Sequence, residues 1–377
     1  MKLAFCIYII LLTCPTWAKE SLVYYDSYEE NKKAFIEKSF GRPSQSWFLK
    51  SDATLTTDLA FYNYNSEQVL VVSSGIHGIE GYVGSSLQRW MIDVLAGKKS
   101  LKTDVLLIHS LNPWGMKNKR RVNEINIDLN RNFQTSLDLY QKKNEDYDKI
   151  NEFLNPKSDV SLNFFGRLGF LTKAVQLILS YSMESLRKSV LLGQYNHPQG
   201  LYYGGGAPDA LQAHIDELFA KDLKHYKKVV WIDLHTAYGE RGKLHLLADD
   251  SNSEAGKKLA LQFSHYPIDF GNQKNFYKTS GDLASYLNLK NSKKQEVIAA
   301  VFEYGTMDSQ KTLGSIESLR RMVLENQGFH RGYADKTSQN ETETLFREMC
   351  YPHDEEWKTK ILLQTQKILS PLLEISE

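Results

Sequence analysis

Cysteine is nearly absent from this chain: three in 377 residues, Cys6, Cys14 and Cys350. Charge imbalance is absent too. The 46 Lys and Arg nearly cancel the 45 Asp and Glu, leaving a net charge of +1, so no global field draws the protein to nucleic acid or to an acidic membrane surface. The body contains no apolar run of the length a membrane helix needs, and mean hydropathy is −0.43; both argue against an integral membrane protein. Internal repeats and low-complexity linkers are missing as well. What remains is an ordinary globular composition, 42% hydrophobic and 24% charged, long enough to bury a sizeable core.

The first residues read as an address. Lys2 supplies a positive start, and Leu3 to Thr13 is an apolar run too short to span a bilayer. Thr16-Trp17-Ala18 offers a cleavage site before Lys19. We expect a signal peptide over 1–18, one catalytic domain over 19–377, and an exported protein, periplasmic or secreted, of a bacterium. Cleavage removes Cys6 and Cys14 and leaves Cys350, so no internal disulfide can form; a periplasmic protein with a large core needs none. Cys14 invites a lipid anchor, but Thr13 stands where a small Ala, Gly or Ser is expected.

Residues 19–65 look like a lead-in. VLVVSS (69–74) then reads as a buried strand. After Gly75, the residues Val83, Leu87, Trp90, Met91 and Leu95 recur at helical spacing. DVLLIHS (104–110) is a second strand, and NPWG (112–115) is turn chemistry. Over about 134–200 a charged stretch precedes a long amphipathic segment, read as a helical insertion whose apolar stripe packs on the body. VVWIDLH (229–235), KLHLLA (243–248) and EVIAAVFEYG (296–305) are further strands. Helical patterns close the chain at 311–327 and 355–374. Strands alternating with helices predict an α/β fold: a mixed, mostly parallel twisted sheet with helices on both faces.

Ligands of open α/β sheets bind beyond the carboxyl ends of strands. Three strands here run into ionisable residues: the first into His77 and Glu80, another into His235, the last into Glu303. His77 and Glu80 are three apart, which at a first helical turn places them on one side. With a distant histidine they make the three ligands of a catalytic zinc that leaves a position open. Alone, H-x-x-E is weak, because ten histidines and 45 acids make chance pairs common. A strand-end histidine is more often a satisfied structural one. NPWGMKNKRRVNEINIDLNRNF (112–133) adds Arg120, Arg121, Asn130 and Arg131, planar cations and neutral donors suited to a carboxylate. A solvated basic loop would look similar.

In order along the chain, H-x-x-E, N-P-x-G, R-x-N, D-L-N-R-N-F, a strand-end His, Y-x-x-S-G and a strand-end Glu resemble the zinc metallocarboxypeptidases, the carboxypeptidase A-like group. NHPQGLYYGG (196–205) and the RRVNE run are closer still to a bacterial branch, the DUF2817 proteins. The resemblance spans 77–303 and implies a carboxypeptidase-like, hydrolase-type α/β/α fold with one zinc per chain. It implies that His77, Glu80 and His235 bind the metal and that Glu303 is the general base. It implies that Arg121 holds the oxyanion, with adjacent Arg120 competing for that role. Asn130 and Arg131 would hold a substrate carboxylate, and Tyr277, in YKTSG, would close over it.

The implied substrate is a peptide or small amide with a free carboxylate, which makes a carboxypeptidase-type peptidase the first reading. A deacylase of N-acyl amino acids, of the aspartoacylase or succinylglutamate desuccinylase type, shares H-x-x-E, a later His and DLNR; Tyr277 and the longer chain favour the peptidase. A zinc-free binding protein on the same fold is the third reading, against which the complete set of catalytic groups argues. The long insertion and the YGTMDSQ run after Glu303 depart from the digestive enzymes. His109, His245 and His197 are expected to be structural, Gly204 to Gly206 a tight turn, and Cys350 a thiol without a catalytic partner.

Overall fold

A computed structural model describes residues 22–42, 44–248, 251–270 and 279–373. The segment expected to be a signal peptide lies outside the described residues. At the centre, apolar and β-branched runs form strands buried on both faces. In β3 (Gln68–Ser74) Leu70 and Val72 enter one core while Val69 and Val71 enter the other, the two-residue alternation of a pleated strand. Likewise β5 (Lys228–Ala237) sends Val230, Ile232 and Leu234 one way and Val229 and Trp231 the other. With β4 (Asp104–His109) and β8 (Glu296–Gly305) these strands make a parallel centre in the order β4-β3-β5-β8. Continuous apolar runs are what such doubly covered strands require.

The edges are mixed. Beyond β8 lie β6 (Leu244–Ala248), antiparallel to it, and β7 (Ile268–Phe270), parallel to β6. Beyond β4 lie β2 (Asp52–Tyr62) and β1 (Ser44–Leu49), both antiparallel. One core is closed by α2 (Gly81–Ala96) and α12 (Glu355–Leu373), whose Leu87, Trp90, Ile361 and Ile368 are buried. The other is closed by α7 (Ala210–Lys221) and α9 (Leu283–Asn288) through Ile215, Leu218 and Leu287. The result is an α/β fold with helices on both faces of an eight-stranded mixed sheet. No helix among the described residues is long and apolar enough to cross a membrane.

Several local expectations need correction. The described part of the lead-in is structured: α1 (Tyr28–Lys38) starts with a capping box between Ser27 and Glu30, and β1 and β2 extend the sheet. The strand signal was hidden because β1 is mostly exposed and because β2 buries Thr56, Thr57 and Asp58, polar residues bonded to each other and to the chain. NPWG opens a short helix, α3 (Pro113–Lys117); Asn112 caps it by accepting from Gly115 N, and Pro113 occupies the first helical position. A further helix, α11 (Lys336–Cys350), separates α10 (Thr312–Arg331) from α12.

The 134–200 region holds α4 (Glu145–Leu154), α5 (Phe164–Tyr181) and α6 (Met183–Leu191). The single amphipathic segment is thus broken, at Ser182, whose φ is 64°. Its apolar stripe packs only in part. Ala174 and Leu177 are buried, whereas Phe164, Leu168, Leu171, Val175 and Leu179 stay exposed, because α5 is apolar around most of its circumference and only one face can turn inward.

Candidate metal centre

The chain leaves β3 at Ser74 and makes a short 3-10 turn, Gly78–Glu80, before α2. This turn lies against the segment after α3: Gly78 N donates to Arg121 O at 3.1 Å and Ile79 N to Arg120 O at 2.9 Å. The approach demands glycine, since a Cβ at residue 78 would lie 2.1 Å from the Gly115 carbonyl carbon. Two sequence-distant segments are so fixed side by side, and with them His77, Glu80 and Arg121.

His235 comes from β5, parallel to β3. Its Nδ1 lies 3.1 Å from His77 Nδ1 and 3.3 Å from Glu80 Oε2; His77 Nδ1 is 3.0 Å from Glu80 Oε1. The Glu80 Oε2 atom also accepts from Thr236 N at 3.0 Å. All three side chains are buried, at most 4% exposed. Among the described residues this is the only group of three or more His, Cys, Asp or Glu whose donor atoms converge.

Both imidazoles are held from behind. His235 Nε2 is 2.6 Å from Asp233 Oδ2, and Asp233 Oδ1 accepts from Ser73 Oγ, which in turn accepts from Trp231 Nε1. His77 Nε2 is 3.3 Å from Asp128 Oδ1, close enough for charge pairing but outside hydrogen-bond alignment. A carboxylate behind Nε2 favours the tautomer that leaves the Nδ1 lone pair facing the cluster. Two such lone pairs and a carboxylate converging out of water repel one another unless a cation sits among them. The donor set therefore fits a divalent metal, and two imidazoles with one carboxylate fit zinc.

The electrostatics agree with cation demand. Burial alone would raise the Glu80 carboxyl, but His77 and His235 outweigh it and hold the group far below the usual glutamate range. Burial disfavours charge on His235, yet Asp233 and Glu80 push its pKa well above an ordinary histidine. A metal would compete with that proton. Burial likewise opposes ionisation of Asp128, and the Arg121 guanidinium overcomes it. Glu303 behaves oppositely: burial first, then the nearby Glu80 charge, raise its carboxyl well above the glutamate range. It sits on β8 in register with His235 on β5, and its Oε1 accepts from Tyr238 N at 2.9 Å.

Glu80, His77, His235 and Glu303 open into a cavity of about 260 Å³ whose wall includes Arg121, Asn130 and Arg131. Arg121 donates through Nε to Asp128 at 2.9 Å and through Nη1 to Glu80 at 3.4 Å. Arg120 turns away: it bonds Glu325, Asn126 and Asn326 and lies over the Phe329 ring. Of the two adjacent arginines, Arg121 is in the wall. Asn130 and Arg131 ride on a 3-10 turn capped by Asp128. The Asn130 Oδ1 accepts from Leu283 N, which leaves its NH2 group as a donor. Arg131 gives Nε and Nη2 to Leu191 O and Nη1 to Asn130 O, so part of its guanidinium clasps the end of α6. Tyr277 lies outside the described residues.

Asp233 belongs to none of the sequence motifs, and Asp128 enters them only as the first residue of D-L-N-R-N-F. The signal for Asp233 was present in I-D-L-H, because residues two apart on a strand share a face. The three histidines expected to be structural have partners. His109, with its pKa held down to about 3 by burial, meets Ser85 and stacks on Phe35. His197 pairs with Asp148, and His245 with Asp269. Cys350 is buried, its thiol pushed up by burial.

Residues 24–364 match the family described as "Protein of unknown function (DUF2817)". The chain belongs to the DUF2817 family. No curated protein sequence matches this DUF2817 chain. Solved structures similar to it include thrombin activatable fibrinolysis inhibitor, at 13% identity over 94% of this chain and 75% of that one, with a TM-score of 0.49. Another is carboxypeptidase A from Helicoverpa armigera, at 12% identity over 86% and 74%, TM-score 0.45. A third is succinylglutamate desuccinylase from Chromobacterium violaceum, at 13% identity over 81% and 74%, TM-score 0.38. With overall likeness this distant, the functional argument rests on the DUF2817 chain's own residues.

Proposed function

We propose that the protein is a zinc-dependent hydrolase of an amide bond, a carboxypeptidase-type peptidase in its first reading. The observation that carries this is the convergence of His77 Nδ1, His235 Nδ1 and the Glu80 carboxylate beside a second, raised carboxyl, Glu303. Two buried carboxylates pushed in opposite directions mark different jobs: Glu80 stays charged and ligates, while Glu303 exchanges a proton.

In this reading His77, Glu80 and His235 hold the metal, with Asp128 and Asp233 fixing the imidazoles. Zinc bound there supplies Lewis acidity, lowering the pKa of water and polarising a carbonyl. Glu303 takes the proton from the attacking water and delivers it to the leaving nitrogen. The Arg121 N–H groups not committed to Asp128 and Glu80 stabilise the charge that develops on the carbonyl oxygen. Asn130 and Arg131 orient a substrate carboxylate beside the scissile amide. We further propose export to the periplasm or beyond, from the apolar run before Lys19.

The test is digestion of a panel by zinc-loaded protein, read by mass spectrometry: a peptide library, its C-terminally amidated twins, and N-acyl amino acids. Stepwise loss of C-terminal residues is the result the peptidase reading expects. Cleavage of N-acyl amino acids alone would favour the deacylase, and an intact panel would defeat both readings.

A further inference from the structure

The cavity does not end at the metal centre. It continues into a chamber walled by the 145–191 helices and α10, through Phe153 of α4, Ala174 and Leu177 of α5, Leu186 of α6, and Leu319 and Met322 of α10. The polar side chains beside them are Arg187, Ser309, Ser315 and Ser318, and Arg187 is committed, donating to the carbonyls of Ser309 and Gln310. A peptide strand laid here would bury N–H and C=O groups with few partners, an expensive arrangement. An alkyl chain has no such groups and gains from leaving water. Arg121, Asn130 and Arg131 line the same cavity, where a carboxylate belongs. One cavity thus offers an apolar wall, a hydrolytic centre and cations.

We propose that the chamber holds the alkyl chain of an amphiphilic substrate, an amide joining a long acyl group to a carboxylate-bearing amine such as an amino acid. The proposal rests on the zinc amide-hydrolase reading and takes its deacylase alternative, with N-acyl amino acids in place of peptides as the substrate class. Water's oxygen bonds to the acyl carbon and the C–N bond breaks. The proton taken by Glu303 goes to the nitrogen and water's second proton follows from the new carboxyl group, so a fatty carboxylate and an ammonium-bearing amino acid leave. No co-reactant besides water is required.

The experiment has two arms. In the first, zinc-loaded protein is given N-acetyl-, N-hexanoyl- and N-lauroyl-L-alanine. The kcat/KM should climb roughly threefold to fourfold per added methylene before levelling off, the gain expected for burying each CH2. Ala174→Trp, which fills the chamber, should cut the ratio of lauroyl to acetyl kcat/KM at least ~10-fold. Phe170 of α5 also lines the chamber, and Phe170→Ala, which enlarges it, should move the plateau towards longer chains. In the second arm, Glu303→Gln protein binds a dansylated undecanoic acid, followed by fluorescence. N-lauroyl-L-alanine should displace it, and adding Ala174→Trp should weaken binding at least ~10-fold with zinc content unchanged. Equal rates on acetyl and lauroyl substrates would overturn the chamber assignment and leave amide hydrolysis standing. No cleavage of any amide, with the dye bound and displaced as described, would overturn the hydrolase reading and leave the chamber assignment standing. A dye that does not bind would overturn the chamber assignment.

Discussion

Glu303 and Arg131 carry the sharpest expectations for single side chains. Because burial and Glu80 raise the Glu303 carboxyl, the folded chain binds that proton more tightly than the unfolded chain does. Its stabilising contribution is therefore present in acid and is lost as pH rises from the unfolded value of about 4.3 through the raised folded value. Glu303→Gln removes this titration. In metal-free protein the variant should melt above the wild type near pH ~8, with the gap closing by pH ~4, while the zinc-loaded variant loses at least ~100-fold in turnover. Thermal melts against pH and a rate assay check both; a wild type that melts higher at the alkaline end contradicts the assignment. Arg131 is expected to favour substrates with a free carboxylate over their amidated forms by roughly 10- to 150-fold, a charge-assisted contact of about 1.5–3 kcal/mol. Arg131→Ala should lose most of that ratio and keep zinc. Its bonds to Leu191 O mean that some stability goes too, so the ratio of the two substrates, rather than either rate, is the measurement.

At the scale of elements, the centre depends on the 3-10 turn at Gly78–Glu80 seated against α3. Gly78→Ala places a methyl 2.1 Å from the Gly115 carbonyl carbon, and backbone on both sides prevents a cheap retreat. We expect a loss of several kcal/mol, about 2–4 by analogy with overpacked cores, together with weakened zinc binding, read by denaturant melts and metal analysis. Unchanged stability would show that the turn can shift. The same elements show what the sequence made legible. The continuous apolar runs of β3, β4, β5 and β8 announced buried parallel strands, and His77, Glu80, His235 and Glu303 stood out because strand ends carry sites. Asp58 and Thr57 concealed β2, since polar residues buried with partners look like surface. The contact between Gly78 and Gly115 was invisible because it joins segments that only the fold brings together. The chamber wall was equally hidden: Leu177 and Leu186 read simply as a helical stripe, and nothing local tells that a stripe lines a cavity.

Across the whole molecule, the metal would tie the end of β3 to the end of β5, with its imidazoles backed by Asp233 of β5 itself and by Asp128 from one further segment. Helices α4 to α6 line the cavity at that junction, and Arg131 fastens α6 to the DLNRN turn. Fold, centre and chamber thus depend on one set of convergent donors. The most direct measurement is the zinc content of purified protein and of two variants, taken by elemental mass spectrometry after equilibration with limiting free zinc. The wild type should carry about one zinc per chain, and His77→Ala and His235→Ala should each lose most of it while remaining folded by circular dichroism. Wild-type zinc content in both variants would contradict the account.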